Sequence, residues 1–126
     1  MDAVSPTHVG QIAIVVKDPA RAVAFCRDAL GLKFLFQAPP GLAFFECGGI
    51  RLMLAKAELP EFDHPSSVLY FSVPDIQAAF VALQGRGVTF RDQPHVITRM
   101  GGVTLWMTFL LDGEGNTLAL MSEVKE

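Results

Sequence analysis

Gln11-Ile12-Ala13-Ile14-Val15-Val16-Lys17-Asp18 is an alternating apolar run that ends on an acid. Alternation at period two marks a strand, and the closing Asp suits a helix N-cap, where its carboxylate accepts free N–H groups of the first turn. Pro19, a favoured first helical residue, follows. Ala22, Val23, Cys26, Ala29 and Leu30 then recur at helical spacing until Gly31 stops the helix. Further along, Leu69-Tyr70-Phe71-Ser72-Val73-Pro74-Asp75 opens in the same way. Ile76, Ala79, Phe80 and Leu83 carry the helical rhythm there, and Gly85 and Gly87 end it.

The parallel extends outward from these two openings, as internal repeats do. A short strand is expected at 33–37 and again at 88–91, with turns at Pro39-Pro40-Gly41 and Gly101-Gly102. Two closing strands follow in each copy, at 42–46 and 51–55 and at 104–111 and 117–121. They are joined by the tight turns Cys47-Gly48-Gly49 and Asp112-Gly113-Glu114-Gly115-Asn116. The second copy carries extra residues at 93–99, read as part of a loop from Asp92 to Gly102. The pattern predicts an α+β fold of two βαβββ repeats forming a cupped mixed β-sheet with the helices on its outer face. It predicts a single domain over residues 1–126, with repeat one at about 8–58, a linker at about 59–67 and repeat two at about 68–123.

Composition sets the bounds. The chain of 126 residues is 51% hydrophobic and 18% charged, with mean hydropathy +0.38, which excludes a disordered segment and is apolar for a small monomer. A net charge of −3 without a basic cluster argues against a nucleic-acid partner. The longest apolar stretch, 105–111, is far too short to span a bilayer, so no membrane partner is expected. The N-terminus shows no basic region followed by an apolar one, and Cys26 and Cys47 lack metal-binding spacing. Both are read as reduced thiols of a cytoplasmic protein.

Alternation also assigns faces. Ile12, Ile14 and Val16 share one side of the first strand, and Leu69, Phe71 and Val73 one side of its counterpart. These uniformly apolar sets belong under the helices, together with Leu52, Leu54, Leu118 and Leu120. Gln11, Ala13 and Val15, with Val68, Tyr70 and Ser72, then line the cup, joined by Arg51, Met53, Thr117 and Ala119.

The run from Gln11 to Asp18 through Ala24-Phe25-Cys26-Arg27-Asp28-Ala29-Leu30-Gly31-Leu32 resembles the opening of the vicinal oxygen chelate superfamily. The ending Phe109-Leu110-Leu111-Asp112-Gly113-Glu114-Gly115-Asn116-Thr117-Leu118-Ala119-Leu120 is similar to that family's closing hairpin. The group includes glyoxalase I, extradiol dioxygenases, methylmalonyl-CoA epimerase, fosfomycin-modifying enzymes and bleomycin resistance proteins. The resemblance implies the paired-repeat fold, but chemistry varies freely upon it. In its metal-dependent members one cup-facing residue from each of four strands binds a divalent ion. Carried over one at a time, those positions hold Gln11, Met53, Val68 and Ala119. One amide, one thioether and two aliphatic groups are a poor set for such an ion, so no cofactor is expected and no metal at the usual place. Bleomycin-resistance-like members use metal-free grooves, and the resemblance extends to that lack of ligands.

The resulting expectation is a small organic molecule held in the cup by Gln11, Arg51, Met53, Val68, Tyr70, Ser72, Trp106 and Ala119. Arg51 suits a carboxylate or phosphate, and Tyr70 and Ser72 are hydrogen-bond donors. Two alternatives stay open. One is a metal-independent isomerase or lyase using His95 or Tyr70 for proton transfer; the other is a metal-dependent lyase or dioxygenase with displaced ligands. His8 and His64 are expected in solvated loops, and Glu114 is expected to be solvated in its Gly-rich turn. Trp106, Met107, Phe44 and Phe45 are read as pocket wall or core. Exposed sheet edges and family habit point to a homodimer.

Overall fold

The computed structural model describes residues 4 and 6–126. Strand β1 (Gln11–Val15) leads to α1 (Pro19–Ala24). Asp18 caps α1 as expected, its Oδ1 accepting from Arg21 N at 3.3 Å, with Pro19 in the first turn. The helix continues over Phe25–Ala29 in π-helical register, where Leu30 N donates to Phe25 O. Gly31 then turns the chain at φ 75°, a conformation that disfavours side chains with a Cβ. Strands β2 (Lys33–Ala38), β3 (Leu42–Cys47) and β4 (Ile50–Ala55) complete the first half.

A 3-10 turn at Pro60–Phe62 interrupts the linker before β5 (Leu69–Ser72) and α2 (Ile76–Gly85). Asp75 caps α2 through Ala78 N. Strands β6 (Thr89–Phe90), β7 (His95–Met100), β8 (Val103–Leu111) and β9 (Thr117–Lys125) follow.

The expected cupped sheet is divided into two mixed sheets, one per half. The first has four strands in the order β1-β4-β3-β2. The second has five, in the order β5-β9-β8-β6, with β7 also on β8. In each half the strand before the helix lies parallel to the last strand, β1 on β4 and β5 on β9, and the remaining pairs are antiparallel.

The extra residues at 93–99 are not a loop. They form β7, which pairs with the start of β8 while β6 pairs with its end. Asp92 bridges the interruption: its Oδ1 accepts from Thr108 Oγ1 at 2.8 Å and from Phe109 N at 2.9 Å.

Each half has its own core, made from the faces that alternation assigned to it. Ile14, Leu52 and Leu54 pack under Ala22, Val23 and Cys26, and Leu110, Leu118 and Leu120 pack under Ile76 and Leu83. Phe25, Leu69 and Phe71 touch both cores and join them.

A polar clamp completes the seam. Asn116, 2% exposed, donates from Nδ2 to Val15 O at 2.8 Å and accepts Ser66 N at 2.9 Å. Glu114 corrects the expectation of a solvated side chain. It is 4% exposed, and its Oε2 accepts from Lys17 N and Asp18 N while Oε1 accepts from Arg21 Nε. Burial alone would raise its pKa. The Arg21 guanidinium and the two backbone donors outweigh that and hold the carboxyl below its ordinary value.

Candidate functional site

Register lays the cup-facing residues out in rows. In the first sheet Gln11 lies opposite Arg51 and Arg51 opposite Glu46; the next row runs Ala13, Met53, Phe44, Phe36. Arg51 Nε donates to Gln11 Oε1 at 2.8 Å, and Gln11 Nε2 donates to Met53 Sδ at 3.7 Å. The Arg51 guanidinium sits 5.1 Å from the centre of the Phe44 ring, which stacks on Phe36 at 4.6 Å. Gln11, Arg51 and Met53 are therefore brought together, with Phe44 as an aromatic platform. Phe45, on the other face of β3, is core.

In the second sheet Tyr70, Ala119 and Phe109 form one row, with the Tyr70 and Phe109 rings edge-on at 6.0 Å. Ser72, Met121, Met107 and His95 form another. His95 is thus three strands from Ser72 along the sheet and stands in a different row from Tyr70. Its Nδ1 lies 2.9 Å from Gln93 O and 3.9 Å from Asp92 Oδ2. A carbonyl only accepts, so Nδ1 carries a proton there and Nε2 is left for solvent or a ligand. Val68 is exposed at the entrance to β5.

Trp106 is a correction. It stands opposite Val96, on the face away from Met107, and packs against the second core. Odd and even positions of β8 point to opposite sides, and Trp106 falls on the helix side.

Over the first sheet lies a cavity of about 500 Å3. Ala13, Val15, Leu42 and Met53 line it from the sheet, and Phe62 and His64 from the linker. Val15 N donates to Ser66 Oγ at 2.9 Å, which ties the linker down along β1. His64 is an exposed loop residue, as expected, and also lines the cavity. Its Nδ1 lies 2.9 Å from Pro65 O, which leaves Nε2 unengaged. The contribution of the linker was missed in sequence. The one available signal was Phe62, an aromatic in an otherwise polar stretch.

At the four positions that the family resemblance assigns to a metal, the Gln11 oxygen already accepts from a guanidinium. Met53, Val68 and Ala119 supply a thioether and two aliphatic groups. That donor set does not fit a hard divalent cation, and a neighbouring guanidinium would repel one. Among the described residues no three His, Cys, Asp or Glu side chains cluster to hold a metal.

Comparison with known proteins places this geometry in context. A family model described as the Glyoxalase/Bleomycin resistance protein/Dioxygenase superfamily matches residues 8–120. A superfamily member from Sphaerobacter thermophilus DSM 20745 superposes with TM-score 0.77 at 21% identity, covering 93% of this chain and 98% of that one. TnmS3, an antibiotic binding protein from Streptomyces sp. CB03234, superposes at 0.75 and 23% identity, covering 94% and 98%. A lactoylglutathione lyase from Agrobacterium tumefaciens gives 0.70 at 20%, covering 94% and 95%. At these identities the likeness is one of fold. No curated protein matches the chain in sequence.

Proposed function

Because the chain belongs to the glyoxalase/bleomycin resistance protein/dioxygenase superfamily, we propose that it uses the superfamily cup to bind a small, largely apolar organic molecule without a metal ion. The observation that carries this reading is the cavity of about 500 Å3 over the first sheet, with Met53 and Leu42 in its lining and Phe62 and His64 on the linker side. Its size falls in the range of about 300–1,000 Å3 typical of small-molecule sites, and its mix of apolar walls with a few polar groups is also typical. The donor set around Gln11 supports the metal-free part. The name of TnmS3 supports the binding part, since a protein of this fold is described as holding an antibiotic.

The test is a ligand screen by thermal shift on native protein and on Met53→Trp, whose indole fills the cavity from the β4 side. Ligands that stabilise the native chain but not the variant support the proposal. Ligands that stabilise both equally, or a stoichiometric metal in elemental analysis of protein purified without chelator, overturn it.

One observation favours a second reading, a metal-independent isomerase or lyase: His95 is held by Gln93 O near Asp92 with its second nitrogen unengaged. Turnover that survives His95→Ala would remove that residue from any such mechanism. The proposal also includes a cytoplasmic homodimer. Both cysteines are free thiols, and apolar side chains stand exposed on the edge strands at Leu35 and Phe36 of β2 and at Ile97 and Met100 of β7. Light scattering that returns a monomer of 13.7 kDa would remove the dimer.

A further inference from the structure

A second cavity, of about 720 Å3, opens where the two halves diverge. Ile12 and Leu52 line it from the first half, and Leu69, Phe71, Ala82 and Leu83 from the second. Ile12, Leu52, Leu69 and Phe71 face the helices, so this space lies mainly on the side of the sheets away from the cup, and Tyr70 and Ser72 of the edge strand β5 also reach it. Its volume also falls within the small-molecule range.

Arg86, just past the end of α2, is the one charged residue in the lining. Its Nη1 donates to Ala29 O at 3.0 Å across the seam. No carboxylate of the described residues lies within ion-pair distance of it. A guanidinium offers five donors in a planar fork, so one bond to a carbonyl leaves most of the fork unspent. An uncompensated cation beside aliphatic walls complements an amphipathic anion, because the fork pairs with a planar carboxylate while the walls take up an alkyl tail.

We propose that this groove binds an unbranched aliphatic carboxylate, its head on Arg86 and its tail between α2 and the facing edge of the first sheet. The competing role for Arg86 is a strap that satisfies the Ala29 carbonyl at the end of a helical segment. The two roles separate experimentally, since a strap is indifferent to added carboxylate.

The experiment is calorimetric titration of the full chain with octanoate and with octan-1-ol. Octanoate is expected to bind about ten-fold or more tightly than the alcohol, the factor that one charge-assisted hydrogen bond provides. Arg86→Gln should lose about that factor for octanoate and nothing for the alcohol. Ala82→Trp, at an exposed position of α2, should abolish binding of both while leaving the Arg86–Ala29 bond in place. Equal affinity for acid and alcohol, or no octanoate binding, overturns the proposal. Loss of octanoate binding in Met53→Trp alone would also overturn it, moving the site to the cup and leaving the cup reading intact. Ala82→Trp converting a dimer to a monomer, with no octanoate bound by the native chain, would assign the groove to a second copy and overturn it equally.

Discussion

Glu114 Oε1 accepts a 2.9 Å hydrogen bond from Arg21 Nε, so the last tight turn of the second half holds the first helix of the first half. Three donors converge on this one carboxylate, two of them backbone N–H groups at the start of α1. Asp112 shapes the turn that delivers it, accepting from Glu114 N at 2.7 Å and Asn116 N at 3.0 Å.

Glu114→Ala should therefore lower stability by about 3 kcal/mol, because it strands buried donors as well as removing bonds. Urea unfolding checks this, with an unchanged m-value showing that the same surface is exposed. The folded-state pKa of Glu114 is depressed, so its contribution is complete above the unfolded carboxylate value of 4.5 and is lost as pH falls through the lower folded value. Stability of the native chain should fall more steeply below pH 4.5 than that of Glu114→Gln.

Asn116→Asp should destabilise more than Asn116→Ser. The aspartate replaces the Nδ2 donor with an oxygen facing Val15 O and Asp112 Oδ2, whereas serine only loses bonds. A cost of about 3 kcal/mol is expected for the aspartate and about 2 for the serine, read from thermal melts at neutral pH. Equal losses would show that the seam does not depend on this donor.

Asp92→Ala should cost about 2 kcal/mol, since it leaves the Thr108 hydroxyl and the Phe109 N–H without their carboxylate in the bend between β6 and β7. His95→Ala, at an exposed position, should change stability by less than about 0.5 kcal/mol. Parallel denaturation curves of the two variants test the contrast. They also show whether a loss of function in His95→Ala is a loss of folding.

Cys26 should resist thiol reagents until the chain unfolds. It is buried, and desolvation reinforced by the Asp112 carboxylate pushes its pKa up to about 12. Cys47, half-buried and raised by desolvation alone, should react slowly at pH 8. Thiol titration with and without urea distinguishes the two, and rapid native-state labelling of Cys26 would show that the first core opens readily.

The caps, helix stops and strand faces could be read from residues close together in the chain. Asp18 and Asp75 cap helices because an acid after an alternating run meets free N–H groups within three residues. The sets Ile12/Ile14 and Leu118/Leu120 lie under helices because alternation leaves a strand just two faces. Trp106 was misassigned because its face of β8 mixes it with Thr104, Thr108 and Leu110 while the opposite face is uniformly apolar, so hydrophobicity pointed to the wrong face as the one the helix covers. The strand at 95–100 was hidden for a related reason: Asp92 carries the chain past a break in pairing that periodicity registers as a loop.

What the sequence determined by itself was the repeated unit, its caps and the thioether and aliphatic side chains at Met53, Val68 and Ala119, all properties of single residues or of spacings within one element. Tertiary structure alone decided the burial of Glu114, the capture of the Gln11 oxygen by Arg51 and the place of His64 and Phe62 beside the cup. Each of these depends on segments separated by tens of residues meeting in space. A side chain's chemistry does not specify its distant neighbours; the packing of the two cores through Phe25, Leu69 and Phe71 does.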